Sequence, residues 1–199
     1  MPVLYYIMRG IGRLSFPLIC FLLVQGFIYT RSLGKYLARI GCFAVISEIP
    51  YDLVFYGKMV AWSRQNVFFT LGIGLTVLWG MTEAEKRLGG VQRYVADILI
   101  LSAGMGMAVL LRCDYSMWGV LMITAFYVCR YDFGKLLRLF PVICLCQSWM
   151  EAGAILALIL VKLYSPDQDQ GRTRMPGGFF YWFYPIHLLV LWGIYKWIC

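Results

Sequence analysis

Long apolar stretches separated by short polar segments run through the whole chain. Most are apolar on every side, and about 20 such residues cross a bilayer as a helix. The pattern therefore predicts an all-α, polytopic transmembrane helical bundle of six or seven spans with no soluble domain. The stretches cover residues 14–29, 37–56, 67–81, 94–111, 117–129, 136–163 and 179–197.

The stretch at residues 136–163 is harder to assign than the others. Pro141 interrupts it, and so does a polar cluster of Gln147, Ser148 and Glu151. Because two full crossings would leave almost no loop, we expect a broken helix or a short first member.

Local signals mark helix starts and close contacts. Asp114 and Ser116 precede the fifth stretch as candidate N-caps, and Gly119 follows as a candidate close-packing position. The spacing of Ser102 and Gly106 predicts a close contact between helices.

Composition agrees with a membrane protein. The chain is 61% hydrophobic and 14% charged, whereas soluble domains have about 45–50% and about 25%. The net charge of +8 fits basic cytoplasmic loops, or such loops with an added anion-binding role. Nothing in the sequence resembles a nucleic-acid module. The seven cysteines lack the spacing of a metal site. The apolar composition makes the lipid bilayer the expected partner.

Charges within the second stretch are the first candidates for chemistry. Glu48 and Asp52 are four residues apart and share a helix face, with Pro50 between them. Such carboxylates serve as a general base or orient a nucleophile. Alternatively they form ion pairs with Arg13 or Arg64 at the same membrane face.

A basic row precedes these carboxylates. Arg31, Lys35 and Arg39 are spaced i, i+4, i+8, and they line one side if the second helix starts early. The row can grip the phosphates of a cofactor, or it can set only the membrane orientation, with this loop in the cytoplasm.

His187 is the single histidine of the chain. Histidine is the side-chain type whose ordinary pKa lies near neutrality, which suits proton transfer, although a lone interfacial histidine is more often packed or hydrogen-bonded. Tyr184 is a weaker candidate beside it. Asn66 either caps the third helix or binds a ligand.

The motifs together resemble the TraX family of membrane proteins. They run in order over nearly the whole chain, at residues 11–17, 26–31, 35–39, 46–51, 65–71, 114–120 and 180–189. The resemblance implies a single integral membrane domain, 1–199, in the bacterial inner membrane. It also implies transfer of acetyl from acetyl-CoA to an amine or hydroxyl, as in pilin acetylation.

The resemblance also assigns site residues. Arg31, Lys35 and Arg39 would face acetyl-CoA. Glu48 and His187 would be the catalytic pair, and no metal is implied. Arg13, Asp52, Asn66 and Tyr184 would line the site.

One departure from the family bears on activity. TraX relatives usually begin with an additional span that carries an Asp-His pair, whereas this chain has no histidine before His187. The resemblance therefore implies an N-terminally truncated chain or a reduced, inactive member. The alternative to an acyltransferase is a non-catalytic membrane scaffold or a small-molecule transporter.

Overall fold

The described part of the chain is all-helical. The computed structural model describes residues 2–61, 63–147, 154–164 and 179–198, without the side chains of 2–13, 179–180, 195 and 198. In order, the helices of these residues are α1 (Pro2–Tyr29), α2 (Leu33–Tyr56), α3 (Val67–Arg87), α4 (Gly90–Leu110), α5 (Ser116–Val128), α6 (Phe133–Gln147), α7 (Ala157–Leu163) and α8 (Phe179–Ile198).

The centre of the bundle is formed by α5. Its residues 119–127 are buried except for Leu121, which is half-buried, and α1, α3, α4 and α6 contact it. A short helix that is apolar on all sides can be accommodated only where other helices cover it. Outside this centre, α2 packs between α3 and α8.

Gly119 lets α5 approach α3 closely, as the sequence predicts. A Cβ there would lie 2.5 Å from Cγ2 of Thr70 and 2.8 Å from Cβ of Tyr115. The contact predicted at Ser102 and Gly106 is wrong, because Gly106 has no described neighbour within 4 Å of such a Cβ. The inward face of α4 instead carries Gly104, against Val77.

Two helix starts test the predicted caps. Asn66 caps α3, and its Oδ1 accepts a hydrogen bond from the backbone N–H of Phe68 at 3.0 Å. The caps predicted for α5 are wrong, since its N-cap is Tyr115 and makes no side-chain capping bond. Asp114 is instead engaged by Tyr51, and Ser116 has a φ of 47°.

The predicted break in residues 136–163 does not fall at the proline. Pro141 lies inside α6, which continues to Gln147. The chain is described again from Ala154 and forms α7 from Ala157. Ser148 and Glu151 lie outside the described residues.

Two described helices, α3 and α4, are long and apolar enough to cross a membrane. The two helices differ in how much of them the rest of the protein covers. In the most apolar 18-residue segment of each, 56% is buried in α3 but only 11% in α4. The outer face of α4 includes Ile98 and Leu99, which are 63% and 64% exposed. In water such a continuous apolar face is unfavourable.

Replacing Gly119 by alanine tests the close approach of α5 and α3. The added methyl group must displace Thr70 or Tyr115, so we expect a loss of about 1–3 kcal/mol in unfolding free energy. Gly106→Ala is the matched control, because its Cβ meets open space and a helical alanine gains up to about 1 kcal/mol. Thermal unfolding in detergent, followed by circular dichroism, measures both. Equal melting temperatures for the two variants would contradict the packing.

Candidate functional site

A cluster of polar side chains occupies the junction of α2 and α3. The helices run antiparallel, since Gly72 faces Ile40 at 3.6 Å, while Asn66 bonds to Ala44, later along α2. The residues that meet there come from four parts of the chain. They are Ser47, Glu48, Tyr51 and Asp52 of α2, Asn66 and Thr70 at the start of α3, Cys113 and Asp114 of the α4–α5 loop, and Tyr184 of α8.

Asn66 holds Glu48 in place. Oε2 of Glu48 accepts the backbone N–H of Asn66 at 3.3 Å and a short bond from its Nδ2. Nδ2 also donates to the carbonyl oxygen of Ala44 at 2.7 Å. Oε1 of Glu48 is buried and has no hydrogen-bond partner among the described residues. One carboxylate oxygen is thus fixed by hydrogen bonds, while the other has no described donor.

Asp52 lies one helical turn further along α2 and is fully buried. Its Oδ2 accepts the backbone N–H of Ala61 at 2.5 Å, which ties the α2–α3 loop to α2. Its Oδ1 is buried and lacks a hydrogen-bond partner in the described chain. Asp52, which the sequence analysis placed in the site lining, thus lies next to Glu48 on α2.

The ion pair that the sequence suggested between these carboxylates and Arg64 is not formed. Arg64 is exposed, and none of the described ion pairs joins it to Glu48 or Asp52. An asparagine amide and a backbone N–H occupy the carboxylates instead. The side chain of Arg13, the other predicted partner and lining residue, lies outside the described part.

The α4–α5 loop adds residues that the sequence did not assign to the site. The N–H of Gln65 donates to the carbonyl oxygen of Arg112 at 3.2 Å, and the N–H of Asp114 donates to that of Gln65 at 3.0 Å. Arg112 adopts a φ of 53°, which is uncommon for a side-chain-bearing residue. This pairing brings Oδ1 of Asp114 within 3.4 Å of the Tyr51 hydroxyl.

Cys113 is buried at the same place, next to Thr70. Burial raises the pKa of its thiol to about 11, so at neutral pH it is a thiol and a poor nucleophile. Within the described ranges, no three histidine, cysteine or acidic side chains come together to hold a metal ion.

Tyr184 is close to both Glu48 and His187. Its hydroxyl lies against the backbone N–H of Val67 and within electrostatic range of Glu48, and its ring centroid is 5.6 Å from that of His187. Nδ1 of His187 is 3.2 Å from the carbonyl oxygen of Phe183. With a proton on Nδ1, Nε2 is left as the basic nitrogen. No described contact joins His187 directly to Glu48.

The predicted basic row is shorter than expected. Since α2 begins at Leu33, Arg31 precedes the helix, and only Lys35 and Arg39 share a helical face. All three side chains are exposed, and Nε of Arg39 donates to the carbonyl oxygen of Lys35 at 3.2 Å. Glu48 lies nine positions after Arg39 in α2, which corresponds to about 14 Å along the helix axis.

Aromatic side chains fill the distance between Arg39 and Glu48. Tyr181 of α8 lies in the electrostatic field of Arg39 and stacks on Phe43 at 5.2 Å between ring centroids. Phe68 follows, 6.1 Å from Phe43 and 5.4 Å from Tyr184. The basic start of α2 and the polar cluster are thus joined by one continuous apolar contact between α2, α3 and α8.

Comparison with known proteins identifies the family. The sequence pattern of the TraX protein family matches residues 3–195. The chain belongs to the TraX family. It is 30% identical to a probable fimbrial assembly protein FimC, serogroup H1, of Dichelobacter nodosus, over 94% of this chain and 82% of that relative. No solved structure matches this TraX chain.

Replacing Asn66 by alanine tests how much the cluster depends on this amide. The variant loses the cap of α3, worth about 1 kcal/mol, and leaves Glu48 and the Ala44 carbonyl without their donor, which costs about 1–3 kcal/mol more. We expect the unfolding free energy to fall by about 2–4 kcal/mol in detergent. The control Gln92→Ala, at an exposed position of α4, should change it by less than about 0.5 kcal/mol. Similar losses in both variants would show that Asn66 has no special part.

Proposed function

We propose that this TraX chain is a multi-pass acetyltransferase of the bacterial inner membrane, acting in pilus assembly. It would transfer acetyl from acetyl-CoA to an amine or hydroxyl acceptor. Membership of the TraX family supports this, as does the relative named as a probable fimbrial assembly protein. The observation that carries the proposal is the half-buried Glu48, whose Oε2 is held by Asn66 and whose buried Oε1 has no described donor.

The membrane location is supported by the apolar exterior. A core helix of a soluble protein is also apolar, but it is covered by its neighbours, whereas α4 leaves most of its apolar window uncovered. Lipid chains would cover Ile98 and Leu99 at no cost in hydration. The 21 residues of α3 correspond to about 30 Å, the thickness of the hydrocarbon core.

Glu48 is the proposed general base. Its Oε1 accepts the proton of the acceptor N–H or O–H as that nitrogen or oxygen attacks the thioester carbonyl carbon. The C–S bond then breaks, and the electron pair leaves with the CoA sulfur as a thiolate. The proton on Glu48 then passes to this thiolate. Asn66 is a positioning residue, because it fixes Oε2 and thereby aims Oε1.

Tyr184 and His187 are the proposed second half of the site. With its proton on Nδ1 toward Phe183, His187 presents Nε2 as a second basic atom. The hydroxyl of Tyr184 lies within electrostatic range of Glu48, and its ring centroid is 5.6 Å from that of the imidazole, so it is the proposed donor to the thioester oxygen in the transition state.

Lys35 and Arg39 are the proposed contacts for the phosphates of acetyl-CoA. Both are exposed at the start of α2, where guanidinium and ammonium groups suit phosphate oxygens. Arg31 lies in the preceding loop, close enough in sequence to add a third charge. The acetyl end of the donor would then have to reach about 14 Å along α2 to Glu48.

Two substitutions separate chemistry from donor binding. Glu48→Gln keeps the shape but loses the base, so acetyl transfer should fall at least about 100-fold while acetyl-CoA still binds. Arg39→Ala loses a charge-assisted contact, so acetyl-CoA should bind about tenfold more weakly. Calorimetry with the purified chain in detergent measures binding. Labelled acetyl transfer in liposomes, to a peptide with the free amino terminus of the host pilin or to a host membrane extract, measures chemistry.

Glu83→Gln and Arg87→Ala serve as matched controls, because both charges are remote from the cluster at the end of α3. An unaltered chain that neither binds acetyl-CoA nor transfers acetyl to either acceptor would contradict the proposal. Solute uptake that is lost in Glu48→Gln, without acetyl-CoA turnover, would favour the transporter. A partner retained by both Arg39→Ala and His187→Ala would favour the scaffold.

A further inference from the structure

A second polar site lies at the opposite end of α3 from Glu48. There a cleft of about 520 Å³ opens between α3, α4 and α5. Four charged side chains line it together with apolar and tyrosine walls. They are Glu85 of α3, Arg93 and Asp97 of α4, and Arg130, which follows α5. The length of α3 places this cleft about 30 Å from Asn66.

Arg93 and its acidic neighbours leave one acceptor and one donor, Nε of Arg93, without a hydrogen bond. Nη2 of Arg93 is 2.9 Å from Oε1 of Glu85, and its Nε is 3.7 Å from Oδ2 of Asp97. Oδ1 of Asp97 is buried and has no hydrogen-bond partner in the part of the chain that the structure describes. A buried carboxylate oxygen without a donor is costly, so a ligand that brings a donor is favoured.

Arg130 leaves donors unused on the other wall. Its Nη1 donates to the carbonyl oxygen of Tyr127 at 2.8 Å. Its guanidinium carbon lies 4.2 Å from the ring centroid of Tyr127 and 4.6 Å from that of Tyr131. Among the described ion pairs none involves Arg130. Since a guanidinium has five N–H donors, it retains several for an anion.

The cleft is also open toward the outside along apolar side chains. Ile98 and Tyr94, at its mouth, are 63% and 69% exposed. Val128 on the facing wall is 57% exposed. A ligand held here would therefore have a charged part inside and an apolar part against the exposed face of α4.

We propose that this cleft binds the headgroup of an ethanolamine phospholipid. The phosphate takes the free donors of Arg130, and the ammonium donates to Oδ1 of Asp97. The acyl chains lie along Ile98 and Val128. Two cations and two anions line the cleft, so it carries no excess positive charge that would favour a purely anionic headgroup. The inference depends on the membrane location proposed above but not on acetyl transfer.

Native mass spectrometry of the full chain in mild detergent tests the headgroup. Phosphatidylethanolamine, phosphatidylglycerol and phosphatidylcholine with identical acyl chains are titrated against the unaltered protein. Phosphatidylethanolamine should bind about tenfold more tightly than phosphatidylglycerol, which has no ammonium for Asp97. Phosphatidylcholine should also bind more weakly, because its quaternary ammonium has no N–H. Equal binding of the three lipids would overturn the proposal.

Two variants locate the effect in the cleft. Asp97→Asn should bring the ratio between phosphatidylethanolamine and phosphatidylglycerol close to one, and Arg130→Gln should weaken the binding of both. Lys86→Gln is the control, since Lys86 is exposed at the same end and pairs with Glu83 outside the cleft. An unchanged lipid ratio in Asp97→Asn would also overturn the proposal. The comparison of the three lipids uses the unaltered chain, so it tests the proposal even if a variant misfolds.

Discussion

The side-chain amide of Asn66 is the interaction on which the junction of α2 and α3 depends. Its oxygen caps α3 through Phe68, and its nitrogen donates to Glu48 and to the backbone of Ala44. The same residue therefore starts one helix, joins it to its neighbour and orients a carboxylate. In a low-dielectric environment each of these hydrogen bonds matters more than at a water-exposed surface, because no solvent can replace a lost donor.

This anchoring explains how two carboxyl groups are accommodated at the contact of α2 and α3. Glu48 and Asp52 each have one oxygen fixed, by an amide and by a loop N–H respectively, and one oxygen left without a described partner. If every carboxyl oxygen of the pair had a hydrogen-bond donor, the two groups would have a purely structural part. If none had a donor, the neutral, protonated form of each group would be favoured. The half-satisfied arrangement is the one that suits a group that must hold still and also accept a proton.

The bundle has polar side chains at both ends of α3 and apolar packing between them. Near Asn66 the groups converge on a buried cluster, whereas near Arg93 they line a cleft that opens outward. Between them, Gly119 and the buried face of α5 allow the helices to pack closely.

The sequence predicted the helical class and part of the cluster. Glu48, Asp52 and Asn66 stand out because charged or amide side chains are rare within apolar stretches, and all three lie together in the structure. Asp114 and Tyr51 were not assigned to the site. Their proximity depends on the pairing of the 112–114 backbone with Gln65, and no local pattern encodes a contact between segments that are about 50 residues apart.

Helix positions within the fold were less predictable than helix existence. Ser102 and Gly106 have the spacing of a contact motif, but Gly104, which lies between them in sequence, is the glycine that faces the bundle. Spacing alone did not identify it, because small residues occur on both faces of α4. Pro141 did not end α6, since packing of α6 against α5 can offset the loss of one backbone hydrogen bond. Arg31 was separated from its row by the start of α2 at Leu33.

A double-mutant cycle between Glu48 and Asn66 tests the central claim most directly. Unfolding free energies in detergent would be compared for Glu48→Leu, which removes the acceptor oxygens, for Asn66→Ala and for the double variant. If the amide holds the carboxylate, the two changes are coupled by about 1–3 kcal/mol, and the double variant loses less than the sum of the single losses. Additivity within about 0.5 kcal/mol would contradict the account.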